Sequence, residues 1–297
     1  MEIREVGVIG CGLMGSGIAQ VVAAAGVSTV VVEVSQELCD RGIASIEKQL
    51  DRLVQKGTLK SEERTAIRSR LHPTTDRSRL ASCDLVMEVV IENLEEKKKL
   101  WQSLDPILPR HAILGSNTSS LSITEMMRYT GRPERFLGIH FMNPVPVMKL
   151  VEVIRTVATD KEVFETAVNF VATLGKTPVR TSDRPGFIVN RLLIPYLLDA
   201  VRALEQGTGS IVDLDRSMQL GCGHPMGPLT LADFIGLDTT YYIANILFEE
   251  FREARFAPPG LLRRLVLAGW HGRKTGKGFY DYSDPASPKA QEHIYQI

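Results

Sequence analysis

The chain has 297 residues, and lysine plus arginine match aspartate plus glutamate at 35 each, so its formal net charge is zero. That length can bury a sizeable core and hold two domains, and the neutral balance excludes a broad nucleic-acid face. No apolar stretch approaches the ~20 residues that span a bilayer, and four scattered cysteines without C-x-x-C pairs read as free thiols of a reducing compartment. The expectation is a cytoplasmic protein with small partners and no membrane contact.

Val6, Val8 and Ile9 form a short apolar run broken by Gly10-Cys11-Gly12-Leu13-Met14-Gly15. Ile18, Val21, Val22 and Ala25 then recur at helical spacing until Gly26, and a second run, Val30-Val31-Val32, ends at Glu33. This places the glycines at a strand-to-helix junction inside one βαβ unit. Gly10 allows the tight turn, Gly12 lets a pyrophosphate approach the backbone, and Gly15 lets helix and strand pack closely; the helix N-terminus, starting at Leu13 and Met14, faces the phosphates. Glu33 lies roughly 20 residues after the first glycine, where a carboxylate accepts ribose hydroxyls. A 2′-phosphate would meet like charge there, and no arginine immediately follows, so NAD is favoured over NADP. FAD uses the same turn and stays open. Cys11, between two of the glycines, is either a small filler or a thiol whose bulky adduct would block the dinucleotide.

A helix is expected from Gln36 to Lys56, with Ile43, Ile46, Leu50, Leu53 and Val54 on its buried side. Lys48, Arg52 and Lys56 recur every four residues on the other side, and Lys60 continues the series. They form either a solvated face with acidic neighbours such as Glu47 and Asp51, or a basic edge for a phosphorylated ligand. Ser61 to Glu63 cap a short helix, Leu71 to Thr75 approach a third strand, and Leu85 to Ile91 read as a central parallel strand. The charged helix that follows turns Leu94, Leu100, Trp101 and Leu104 inward. Alternating strands and helices imply a Rossmann-type doubly wound, mostly parallel sheet, whose ligands lie beyond the strands' carboxyl ends.

At those ends stand the notable residues. The strand Ala112 to Gly115 exits into Ser116-Asn117-Thr118-Ser119-Ser120, more hydroxyls and amides than a helix cap needs, which suggests polar groups aimed at a ligand. The strand Phe136 to Ile139 ends in His140, with Asn143 and two prolines after it. Glu152 sits between valines in the next strand, costly unless paired, and a nearby histidine is its natural partner; such a pair would fix the imidazole tautomer and keep it basic. The six histidines form no metal-ligand cluster, so no metal is expected.

A helix from Lys161 to Leu174 and a strand around Val179 close this domain, and the turn Ser182-Asp183-Arg184-Pro185-Gly186 marks its boundary, giving domains 1–183 and 184–297. Beyond it only helices are expected: a segment from Phe187 to Leu198 buried on most sides, with Asn190 its polar exception and Pro195 a kink, then helices near Asp238–Arg252 and Gly260–Ala268. Pro228 suits the first position of another helix. The turn Gly272 to Tyr280 reads as basic surface, and the tail from Ser283 as loose.

Together the Gly10–Gly15 turn, Ile91-Glu92-Asn93-Leu94, Ser116-Asn117-Thr118-Ser119-Ser120, the stretch His140 to Glu152, Pro185-Gly186-Phe187-Ile188-Val189-Asn190-Arg191 and Lys274-Thr275-Gly276-Lys277-Gly278-Phe279-Tyr280 resemble the single-function 3-hydroxyacyl-CoA dehydrogenases over nearly the whole chain. The resemblance implies an all-α C-terminal domain for substrate and dimer contacts. It makes His140 the catalytic base, Glu152 its orienting partner, and Ser119 and Asn190 contacts of the substrate's C3 oxygen. Glu92, Lys97, Ser119, Asn143 and Lys274 would approach NAD, and Lys56 the CoA phosphates. Glu33 departs from the family's more usual aspartate. The implied reaction is NAD-dependent oxidation of (S)-3-hydroxyacyl-CoA, and its reversal, by a homodimer. Two alternatives stand beside it: the same chemistry on an acyl-carrier-protein substrate, and a non-catalytic NAD-binding protein. A catalytic lysine, as in β-hydroxyacid dehydrogenases, is disfavoured by the histidine at the position of the base.

Overall fold

Apolar strands alternate with amphipathic helices along the first part of the chain, and the computed structural model, which describes residues 1–294, gathers the strands into one eight-stranded sheet. The chain divides into two compact units, Met1–Phe187 and Ile188–Ile297. The division falls after Phe187 rather than Asp183 because Phe187, 3% exposed, is buried in the core of the first unit.

In chain order the first unit runs β1 (Glu5–Ile9), α1 (Leu13–Ala24), β2 (Ser28–Val32), α2 (Gln36–Gln55), α3 (Ser61–Ser69), β3 (Leu71–Thr74), β4 (Leu85–Glu88), α4 (Leu94–Leu104), β5 (Ile113–Ser116), α5 (Ile123–Met127), β6 (Phe136–Phe141), β7 (Leu150–Arg155), α6 (Lys161–Thr173) and β8 (Thr177–Ser182). The strand order β3-β2-β1-β4-β5-β6-β7-β8 reverses between β1 and β4, which creates a crevice at their carboxyl ends. All pairings are parallel except β6 with β7. One face carries Val8, Val31, Met87, Ile139 and Val153 beneath α1, α2 and α6. The other carries Val86, Leu114, Phe136 and Ile154 beneath α4 and α5, where the Trp101 and Phe136 rings meet edge-on at 4.9 Å. Strands covered on both faces explain the near-continuous apolar runs.

β4 stops at Glu88, short of the expected Ile91, which is 69% exposed. Beyond Glu88 the chain leaves the sheet to pass over the glycine turn, where a side chain on Gly10 would meet the Val89 carbonyl.

The second unit contains α7 (Val189–Glu205), α8 (Ile211–Cys222), α9 (Pro228–Ile235), α10 (Leu237–Phe251) and α11 (Gly260–Leu267), with Pro228 opening α9 as expected. The unit is helical, as expected, with one short addition: β9 (Tyr280–Asp281) and β10 (Lys289–Ala290) form a small antiparallel pair. Three expectations are corrected here. The pair ties down the tail expected to be loose; residues 295–297 lie outside the described residues. α7 buries one face, Ile194, Leu197, Leu198, Val201 and Leu204, while Leu192 is 65% exposed. The basic turn is not mere surface, since Gly272 and Gly278 lie so close to the buried Asp233 that a Cβ at either would overlap it. Among the described residues no helix is long and apolar enough to cross a membrane.

Candidate active site

The β6–β7 pairing builds the central feature. A short connection from Phe141 to Leu150 returns the chain antiparallel, and the register sets His140 directly opposite Glu152. His140 Nδ1 lies 2.7 Å from Glu152 Oε2, with the histidine 6% and the glutamate 0% exposed. A buried carboxylate here selects the tautomer with the proton on Nδ1, which leaves Nε2 to exchange a proton with a ligand. His140 lies within β6 rather than just beyond it, and the Phe187 ring stands 5.6 Å from the imidazole, so the residue just before the second unit helps to cover the pair.

Next to β6 lies the exit of β5, joined to it where Asn117 Oδ1 accepts the Phe141 N–H at 2.9 Å. The polar run Ser116 to Ser120 spends much of its surplus on two carboxylates rather than on open space. Ser116 Oγ donates to Glu88 Oε2 at 2.6 Å. Glu92 Oε1 receives Thr118 Oγ1 at 2.5 Å and the Ser119 N–H at 3.0 Å. Between the carboxylates sits Lys97, 1% exposed, with Nζ 2.6 Å from Glu88 and 3.2 Å from Glu92. Burial pushes the Glu92 carboxyl up most strongly, but the Lys97 charge and the Thr118 and Ser119 hydrogen bonds together hold it below the usual range. Any effect of Lys97 on a ligand passes through Glu92, because its own side chain is enclosed.

The glycine turn has the form a pyrophosphate requires. Gly10 has φ +94°, and a Cβ on Gly15 would lie 1.8 Å from the Gly10 carbonyl oxygen. At Gly12 a Cβ would meet nothing within 4 Å, so the space before α1 is open. Beside it a pocket of about 220 Å³ is lined by Gly12, Leu13, Ser16, Glu33, Leu38 and Arg41. Glu33 directly follows β2 there, with Oε1 accepting the Cys11 N–H at 2.5 Å and Oε2 the Val34 N–H at 3.1 Å. The tight turn at Gly10, the open cradle before α1 and the carboxylate fit a dinucleotide. Met14 lies in the first turn of α1, half-buried against the core. Cys11 is the small filler and not an exposed thiol: it is 5% exposed, its sulfur presses on Gly42 of α2, and burial, then the Glu33 charge, push it up to about 12.

Three further placements matter. Asn143 is exposed on the loop after β6. That loop is held from below by Lys176, a residue that the pattern of the sequence did not single out, whose buried ammonium donates to the carbonyls of Val145 at 2.6 Å and Met148 at 2.8 Å. Lys56 caps the exposed end of α2; Glu47 and Asp51 pair with Arg68 and Arg64 of α3, while Lys48, Arg52, Lys56 and Lys60 enter no ion pair among the described residues. In the second unit Asn190 is half-buried in the first turn of α7, and Lys274 pairs with Asp238 at the start of α10. Glu88 also escaped notice, although a single carboxylate in the apolar run Leu85–Ile91 is the same signal that marked Glu152.

Comparison with known proteins converges on one family. Residues 5–184 match the model of the 3-hydroxyacyl-CoA dehydrogenase NAD binding domain, and residues 186–282 that of the 3-hydroxyacyl-CoA dehydrogenase C-terminal domain. The chain is 48% identical over 280 residues to the 3-hydroxybutyryl-CoA dehydrogenase of Bradyrhizobium diazoefficiens, covering 94% of this chain and 96% of that one. Among solved structures, FadB2 of M. tuberculosis superposes with a TM-score of 0.93 at 45% identity, covering 95% of this chain and 100% of that one. The (S)-3-hydroxybutyryl-CoA dehydrogenase PaaH1 of Ralstonia eutropha gives a TM-score of 0.93 at 41% identity over the same shares. With both parts of the chain matched in order, and a glycine turn and a buried His–Glu pair across β6 and β7, the chain belongs to the 3-hydroxyacyl-CoA dehydrogenase family.

Proposed function

We propose that the protein catalyses NAD-dependent oxidation of (S)-3-hydroxyacyl-CoA to 3-ketoacyl-CoA and the reverse reduction. The observation that carries this is the 2.7 Å contact between His140 Nδ1 and Glu152 Oε2 beside the Ser119 loop. NAD, when bound, supplies the hydride acceptor, and NADH the donor. Gly10, Gly12 and Gly15 admit its pyrophosphate against α1, Glu33 takes the ribose hydroxyls, and Glu92, Asn143 and Lys274 are assigned to the rest of the cofactor, with Lys97 acting through Glu92.

His140 Nε2 takes the proton of the 3-hydroxyl as the C3–H bond gives up its hydride; in reduction the imidazolium returns that proton to the developing alkoxide. Glu152 stabilises the imidazolium, and Ser119 and Asn190 hold the oxygen on which charge builds. Lys48, Arg52, Lys56 and Lys60, which enter no ion pair among the described residues, suit the phosphates of CoA or the acidic surface of a carrier protein. Exposed apolar side chains of the second unit, Leu192, Leu220 and Phe234, suit a homodimer, and three of the four free cysteines are buried, which suits the cytoplasm.

The test is NADH oxidation with acetoacetyl-CoA and with acetoacetyl-carrier protein. Wild type turns over the CoA thioester, and His140→Ala loses about 10³-fold in kcat while NADH still binds, a loss within the range of general-base removal. Near-wild-type turnover by His140→Ala removes the histidine from the mechanism, and preference for the carrier-protein substrate reassigns the thioester.

A further inference from the structure

Glu88 has no part in the chemistry above, yet it is placed with unusual care. It ends β4 at 0% exposure, and both oxygens are engaged: Oε1 by Lys97 Nζ at 2.6 Å and the Val90 N–H at 2.9 Å, Oε2 by Ser116 Oγ at 2.6 Å. Lys97 is shared, lying 3.2 Å from Glu92 Oε2, while Glu92 Oε1 faces the opposite way toward Thr118 Oγ1, the Ser119 N–H and, at 3.4 Å, Ser119 Oγ. A line of charge-assisted contacts therefore runs from Glu88 through Lys97 and Glu92 to Ser119. The same two carboxylates grip both ends of the short loop leaving β5, Glu88 at Ser116 and Glu92 at Ser119.

A buried carboxylate and ammonium, with a second carboxylate half-buried beside them, are a costly way to fill space, since apolar residues of similar volume commonly stabilise as well or better. Their use is geometric. The shorter contact draws Lys97 toward the sheet and leaves Glu92 turned to the serine loop. Without charge on Glu88 the ammonium moves onto Glu92 and pulls that carboxylate away from the Ser119 N–H. We propose that Glu88 is a positioning residue for the reaction, acting through Lys97 and Glu92 to fix Ser119. The inference rests on the reading of Ser119 as a contact of the substrate's C3 oxygen.

The experiment compares Glu88→Gln, Ser119→Ala and the double variant in acetoacetyl-CoA reduction, well below each variant's unfolding midpoint. Glu88→Gln keeps the side chain's shape and removes its charge. Its kcat falls about tenfold with KM for acetoacetyl-CoA within about twofold, as a small misplacement of an orienting group does. In the Ser119→Ala background the same change costs less than about twofold, because residues acting through one group are not additive. Full additivity, or a Glu88→Gln enzyme with wild-type kcat, overturns the proposal and leaves the reading of Ser119 intact. A fully active Ser119→Ala enzyme overturns that reading and the proposal with it. Should Glu88→Gln fail to fold, Ser116→Ala removes one bond to Glu88 without touching its charge; a loss of about threefold that vanishes in the Ser119→Ala background supports the proposal, and one that persists there overturns it.

Discussion

Glu152 in the sheet and Asp233 in the helical unit are both at 0% exposure, and each carboxylate is held by hydrogen-bonding partners. Asp233 accepts the N–H groups of Phe279 at 3.0 Å and Tyr280 at 2.9 Å and the hydroxyl of Tyr282 at 3.0 Å, donors that keep their protons near neutral pH. Glu152 instead faces the imidazole of His140 at 2.7 Å, a ring whose nitrogens can serve as either donor or acceptor. Burial of a carboxylate therefore says little about chemistry by itself, and the partner decides. Asp233 welds the turn after α11 to α9, whereas Glu152 makes an imidazole directional.

The sharpest way to break that contrast is Glu152→Gln. An amide can offer its NH₂ to Nδ1 and favour the tautomer with the proton on Nε2, the wrong nitrogen for a base. We expect kcat to fall about 10³-fold, roughly 4 kcal/mol of transition-state stabilisation, with the variant folded and NADH affinity within a few-fold. Steady-state kinetics with a parallel NADH titration reads this. A loss below tenfold would place Glu152 with Asp233, as a structural carboxylate.

Much of this contrast was legible in the sequence, for physical reasons. A carboxylate between valines in a β-alternating stretch has few acceptable neighbours, so Glu152 announced its need for His140, and the antiparallel return of β7 made them cross-strand partners. The glycine turn was equally readable, because positive φ at Gly10 and contact at Gly15 admit few alternatives. Lys97, lying in a charged stretch, carried no pattern signal that it turns inward; its direction is set by Glu88, nine positions earlier on another element. Lys176, Asp233 and the strand pair of the tail were hidden for the same reason, since their partners are distant in sequence. The end of the first unit at Phe187 was missed because Phe187 continues an apolar run whose later members serve a different core.

Between the two extremes stands Lys97, a buried ammonium whose ion-pair partners are the carboxylates of Glu88 and Glu92. Lys97→Met preserves length and apolar bulk but leaves Glu88 at 0% exposure without its cation. Breaking a buried pair from one side costs about 3 kcal/mol or more, so denaturant unfolding should show a loss of that size. A variant as stable as wild type would mean that the two carboxylates take up protons when the lysine is gone, making the network closer to Asp233's fixed cradle than to a charge-dependent one.

The smallest expected effect concerns Asp233 and has a definite sign. Burial raises its carboxyl to about 6, against the hydrogen bonds from Tyr280, Phe279 and Tyr282, which lower it; an unfolded chain's aspartate titrates near ~3.9. Between those values the folded protein holds a proton that the unfolded chain has lost, so this group favours folding at low pH, and the contribution fades as pH rises through about 6. Lowering the pH from about 7.5 to about 5.5 should therefore stabilise wild type relative to Asp233→Asn by about 1 kcal/mol, whatever the variant's absolute stability. The comparison uses the difference between two pH profiles because every other titratable group is the same in both proteins and cancels. Parallel profiles would return Asp233 to an ordinary carboxylate pKa. The three donors would then outweigh its burial, and its difference from Glu152 would lie only in what each group holds in place.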